Sequence, residues 1–248
     1  MHFRRKQFSF VPVIVALLFL AACGPANTPT PTVTAIDGSH LFVIKGLGPA
    51  LSQTYAEHMV VVNTEGFKVS GAPEMNLPNE VKMHSCLLRE RPEINSVVHV
   101  HPRYTVLMSV LQEQLAPMCI EGMPLFAKGI PMFGSPRLII HEKDGAEVAA
   151  LMGESDAIML QGHGAATVGA DMEDAMLNML HLEEQAKMNY LAFCAVGRDH
   201  GSITPEQRQE FVANMRSMSE AEHLKPELAP TARKPSGIWN HYAEMADS

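Results

Sequence analysis

Three shortages narrow the field before any motif is considered. Cysteine is sparse: four residues, at 23, 86, 119 and 194, stand far apart with no Cys-x-x-Cys pair. A disulfide scaffold and a cysteine-type structural zinc site are thereby set aside. Positive charge is in deficit, with 19 Lys+Arg against 27 Asp+Glu and a net charge of −8, which argues against a phosphate backbone as partner. Aromatic residues are only 6% of the chain, so the core rests on aliphatic side chains and the 17 methionines. No internal repeat is present. What remains is a globular composition, 46% hydrophobic and 19% charged over 248 residues, enough for one large domain or two small ones.

The one long apolar run, Val11 to Ala22, is interrupted only by Pro12 and is too short for a comfortable membrane span. It follows Arg4-Arg5-Lys6 and ends Leu20-Ala21-Ala22-Cys23-Gly24, which resembles the lipobox of bacterial lipoprotein signal peptides. That resemblance implies a signal peptide over 1–22, cleavage before Cys23 and a lipid on its sulfur. The expected location is then the cell envelope, with the membrane touched only through this anchor; an unprocessed lipobox would leave the protein in the cytoplasm. Alternating Thr and Pro after Gly24 suit an extended, solvated spacer, so 23–35 is expected to be a tether, 36–220 the folded domain and 221–248 a tail.

The body reads as alternating strands and helices. Strands are expected at Leu41–Ile44, Met59–Val62, Phe67–Val69, Ser96–Val100, Leu138–Ile140 and Ala157–Leu160. Helices are expected from the cap Asn79 to Pro92, over Thr105–Gln114, over Asp144–Met152 and from the cap Asp171 to Gly197. A final helix opens at the capping box Thr204-Pro205-Glu206-Gln207. Such an order implies one α/β domain, a central sheet with helices packed on its faces.

Candidate chemistry gathers on four residues. In Val97-Val98-His99-Val100-His101, strand alternation sends both imidazoles to one face, side by side. His163 stands between Gly162 and Gly164 straight after an apolar strand, where glycine permits unusual angles and close approach. Glu80, at the start of the helix before the His99 strand, can bring a carboxylate to the same cleft. Three imidazoles with a displaceable carboxylate suit a catalytic divalent ion, zinc first, with Mn, Fe or Co as alternatives. The other histidines, His84 among them, are taken as structural or solvated, and Glu183-Glu184 as a solvated helix face.

Glu80, the stretch Arg91-Pro92-Glu93-Ile94-Asn95-Ser96-Val97-Val98-His99-Val100-His101-Pro102, and Gln161-Gly162-His163-Gly164 together resemble the class II aldolase/adducin family, in order and spacing, over about Leu41 to Ala195. The resemblance implies metal ligation by His99, His101 and His163, with Glu80 as acid/base. It also implies a mainly antiparallel sheet in an α/β/α sandwich, a homo-oligomer (commonly a tetramer) with sites between subunits, and a small-molecule substrate. The implied reaction is carbon–carbon lysis, of aldehyde-lyase or decarboxylase type, through a metal-stabilised enediolate, with Glu80 moving the proton from a desolvated position that raises its pKa. No Gly-Asn pair is present for the family's phosphate loop, and Leu77-Pro78-Asn79 stands where sugar-phosphate aldolases place serines. Hydroxy- or keto-acids and hydroxyaryl acids are therefore expected ahead of phosphosugars, the family's N-terminal elements being expected to be missing. Asn79 and Tyr242 are candidate substrate contacts. Rival readings are a non-catalytic adducin-like interaction domain and an envelope lipoprotein that only binds metal.

Overall fold

The computed structural model describes residues 33–36, 41–48, 50, 53–218, 220–222, 237, 239 and 240. The leader, Cys23 and Tyr242 lie outside them. Among the described residues eight strands form one sheet: β1 (Val33–Ile36), β2 (Leu41–Lys45), β3 (Met59–Asn63), β4 (Lys68–Ser70), β5 (Ser96–Val100), β6 (Met132–Phe133), β7 (Ala157–Leu160) and β8 (Gly164–Gly169). Their spatial order is β4-β3-β2-β1-β5-β8-β7-β6, every pairing antiparallel except β6 with β7.

Alternation along the central strands sorts the core into two layers. Val97, Ile158, Leu160, Ala166 and Val168 meet Met83 and Leu87 of α1 (Val81–Glu90) and Val148 and Met152 of α3 (Glu142–Met152). Val98, Val100, Met159 and Ala165 point the other way, to Met108 of α2 (Arg103–Val110) and Ala175, Met179 and Leu182 of α4 (Met172–Val196). The protein is a single α/β domain with helices on both faces of its sheet. Asp171 caps α4 by accepting from Asp174 N–H at 2.9 Å. The capping box opens α5 (Pro205–Met218): Gln207 Oε1 accepts from Thr204 N–H at 2.9 Å and Thr204 Oγ1 from Gln207 N–H at 3.3 Å. Among the described residues no helix is long and apolar enough to cross a membrane.

Several expectations are corrected. The sheet begins at Val33, inside the segment assigned to the tether, and β1 is an interior strand between β2 and β5. Val33-Thr34-Ala35-Ile36 follows the last proline of the spacer and is rich in β-branched residues, so once the prolines end, pairing on two sides outweighs the composition of the flank. Leu138–Ile140 is not a strand. β6 and β8 were not foreseen, β8 because Gly164-Ala165-Ala166 carries little strand propensity of its own. α2 starts at Arg103 and stops at Val110, where Gln112 turns to a positive φ of 56°. Glu80 rather than Asn79 occupies the cap position of α1, and its side chain caps nothing.

Candidate metal centre

Strand pairing brings the histidines together. β5 and β8 run antiparallel with His99 opposite Ala166 and Val100 opposite Ala165, so the end of β5 meets the start of β8, and His163 immediately precedes β8. Gly162 takes a φ of 66° in the turn that delivers it. The ring centroids lie 5.2 Å apart for His99–His101, 5.2 Å for His99–His163 and 5.0 Å for His101–His163. α1 packs on the His99 face and adds Glu80, and one ligand atom from each of the four residues lies within 4.8 Å of all the others.

Hydrogen bonding orients this group. A carbonyl oxygen can only accept, so the 2.8 Å contact between His99 Nδ1 and Ala165 O makes Nδ1 the protonated nitrogen. His99 Nε2 then faces Glu80 Oε2, 3.1 Å away. Two acceptors face each other there unless a proton or a metal ion lies between them. Glu80 Oε2 is also 3.3 Å from His163 Nε2, while Oε1 accepts from Ile139 N–H at 2.9 Å. The buried nitrogens of His163 and Nε2 of His101 have no well-aligned hydrogen-bond partner among the described residues. Buried donor atoms that lack partners and converge on one point fit a divalent ion. The backbone carbonyl behind His99 is the usual orienting partner of a ligating imidazole.

Electrostatics match. Burial pushes the His101 imidazole down to about 4, with nearby His99 and His163 adding to the effect and Glu80 opposing it, so it is neutral and ligand-ready at pH 7. Burial acts to raise the Glu80 pKa, but the His163 and His99 rings and the Ile139 N–H together outweigh it and hold the carboxyl well below the usual range. The expected rise in the Glu80 pKa is thus not what the resting arrangement has.

Asn79 is exposed beside Glu80, with no side-chain partner among the described residues. Trp239 is buried against Met176 of α4. Three features add to the sequence reading. The Ile139 N–H serves Glu80 from a segment read as a strand. His84, one helical turn beyond Glu80, is fully buried, the structural of the two readings open for it, and its ring stands edge-on to His99 at 6.4 Å between centroids. Glu183 is buried as well, not on a solvated face, and caps α2. The spacing of Glu80 and His84, both on the α1 face that meets β5, was the available signal for His84; Glu183 had none.

The family model described as "Class II Aldolase and Adducin N-terminal domain" matches residues 28–190. The chain belongs to the class II aldolase/adducin family. The family match, like β1, begins ahead of the expected domain edge. A 3,4-dihydroxyphthalate decarboxylase of Arthrobacter keyseri is 28% identical over 195 residues, 75% of this chain and 79% of that protein. The corresponding enzyme of Terrabacter sp. is 32% identical over 133 residues, 52% of this chain; the match spans 55% of that relative's length. An L-fuculose phosphate aldolase of Methanococcus maripaludis is 29% identical over 160 residues, 63% of this chain and 82% of that one. Among solved structures, an aldolase II superfamily protein from Pseudomonas syringae superposes with a TM-score of 0.70 at 19% identity, covering 88% of this chain and 83% of that one, which shows a common fold. This class II aldolase/adducin chain thus has relatives with lyase names and a family that is divalent-metal dependent.

Proposed function

We propose that this chain is a divalent-metal-dependent carbon–carbon lyase acting on a hydroxy- or keto-acid, a hydroxyaryl acid included, or a sugar-like substrate. His99, His101 and His163 are its metal ligands and Glu80 its acid/base. The observation that carries the reading is the convergence of these four side chains within 4.8 Å. An imidazole-rich set suits zinc, with Mn, Fe or Co as alternatives. When bound, the ion supplies a Lewis acid for the electron pair left behind as a bond beside a carbonyl breaks.

The rest falls to the chain. Ala165 O holds His99 in one tautomer. Ile139 N–H occupies Oε1 of Glu80 and leaves Oε2 to handle the proton. Facing the imidazoles, Oε2 is ionised and weakly basic; turned away from them, burial dominates and its proton affinity rises. The ionised Oε2 would first take the proton of the substrate's hydroxyl or carboxylic acid group, and would return that proton to the carbon from which an aldehyde or CO2 has left. The Arthrobacter decarboxylase match over 75% of the chain supports an acid substrate, as does the absence of a Gly-Asn pair. We propose further that the protein is a homo-oligomer held at the cell envelope through a lipid on Cys23; exposed Val110, Leu138 and Ile140 support an assembly.

The test is metal content together with turnover on a panel of hydroxy acids, hydroxyaryl acids and sugar phosphates, with CO2 and aldehyde release followed separately. Each single replacement of His99, His101 or His163 by Ala should lower metal content at least about tenfold. Bound metal without turnover on any member would favour the metal-binding lipoprotein, and no bound metal the adducin-like interaction domain.

A further inference from the structure

Helix α2 follows the ligand strand without a linker: His101, then Pro102 at the cap position, then Arg103. Proline offers no side-chain acceptor, so the first N–H groups of α2 have no local partner. They are satisfied from α4. Glu183 Oε1 accepts from Tyr104 N–H at 2.9 Å, and Oε2 accepts from Thr105 N–H at 2.9 Å and from its hydroxyl at 2.8 Å. The other end of α2 is tied to the second ligand segment, because Ser109 Oγ accepts from Gly162 N–H at 3.0 Å, next to His163. α2 therefore bridges the chain that leaves His101 and the turn that carries His163.

The ligands differ in how their rings are held. His99 is fixed through Nδ1 by Ala165 O. His101 Nε2 and both ring nitrogens of His163 have no aligned hydrogen-bond partner among the described residues, so their aim depends on the backbone beneath them. Burying a carboxylate is a poor route to stability, since desolvation offsets most of what its bonds return; its attested use is to specify one geometry.

We propose that Glu183 is a positioning residue of the metal centre. By capping α2 from α4 it sets the course of the chain at Pro102, and so the aim of His101; through Ser109 and Gly162 it steadies His163. This rests on the reading of the three histidines as metal ligands.

Glu183→Gln keeps the shape of the side chain but turns one acceptor into a donor facing a backbone N–H. The comparison variant is Asn189→Ala, further along α4, where Asn189 Oδ1 accepts from Ala116 N–H at 3.0 Å and Nδ2 donates to Ala116 O at 2.8 Å. Each protein is stripped with a chelator, Co2+ is titrated back and read by its visible absorption, and Zn2+ affinity is measured by competition. Thermal unfolding of the metal-free forms ranks their stability. Glu183→Gln should weaken Zn2+ binding about tenfold to a hundredfold, the range for groups that orient ligands, and shift the Co2+ bands. Asn189→Ala should keep the wild-type affinity and bands even where it lowers thermal stability as much. Glu183→Asp, which restores the charge one methylene short, should recover part of the affinity.

Wild-type Zn2+ affinity in Glu183→Gln, or equal losses in both variants, would reduce Glu183 to a structural cap and overturn the proposal. Should Glu183→Gln not fold, Glu183→Asp decides by the same criterion: a weakened affinity supports the proposal and wild-type affinity overturns it. A wild-type protein that binds neither ion would overturn the ligand assignment and this proposal with it, a result distinct from the loss of Glu183's role alone.

Discussion

Gly164 and His101 leave no room between them for a side chain. A Cβ on Gly164 would come 2.7 Å from His101 Cδ2, 3.2 Å from His99 Cε1 and 2.5 Å from the Val100 carbonyl oxygen. The two glycines around His163 therefore serve different ends: Gly162 supplies a left-handed turn, and Gly164 supplies space for two imidazoles.

Gly164→Ala should accordingly damage the metal centre more than its small volume suggests. Overpacking of this kind costs about 1–3 kcal/mol of stability. Because one colliding atom is on His101 and a further tight contact is on His99, metal affinity should fall at least about tenfold, as for a displaced ligand shell. Competition titration and thermal unfolding check the two effects separately. An unchanged affinity would mean that β5 and β8 slide apart without moving the rings.

Glu80→Gln preserves the shape of the side chain and its acceptor for Ile139 N–H. Fold and metal content should persist, while turnover on any accepted substrate falls by roughly 10²–10⁴, the usual loss when general acid–base help is removed. Normal turnover would assign the proton transfer to another group.

Stability should decline with acid in the metal-free protein. Burial first, then the nearby His99, pushes His84 down to about 3 from the ordinary imidazole value of 6.5, with Glu80 opposing. Between these two values the unfolded chain takes up a proton that the folded chain refuses. Stability is thus unaffected above about pH 6.5 and is lost progressively as pH falls from there towards about 3. For this fully buried ring the slope approaches about 1.4 kcal/mol per pH unit. Denaturant midpoints of the chelated protein between pH 7 and pH 5 measure it together with the same-sign contribution of His101, so His84→Leu should make the curve shallower without levelling it. A curve of the same steepness in the variant would place the acid sensitivity elsewhere.

Cys23→Ser removes the sulfur that would carry a lipid. The expected result is loss from the membrane fraction and no incorporation of labelled fatty acid, with the folded domain intact. Soluble wild-type protein with an intact, unlabelled N-terminus would make the resemblance of Leu20-Ala21-Ala22-Cys23 to a lipobox a coincidence.

Sequence alone was enough for whatever depends on local spacing. The same-face pair His99 and His101 follows from strand alternation, the capping box at Thr204 from its own side chains, and α4 from its apolar period, because each interaction spans only a few residues. Tertiary structure decided what depends on partners distant in the chain. Whether Val33–Ile36 became tether or interior strand turned on β2 and β5 lying to either side. Whether Leu138–Ile140 became a strand turned on the Ile139 N–H going to Glu80 instead of to a neighbouring strand. Glu183 looked like half of a solvated charge pair until α4 packed against α2, since nothing within a helical turn of it reveals that Tyr104 and Thr105 have N–H groups to satisfy. Composition and period act within a few residues, whereas register, burial and long-range hydrogen bonds exist only once the sheet has closed around them.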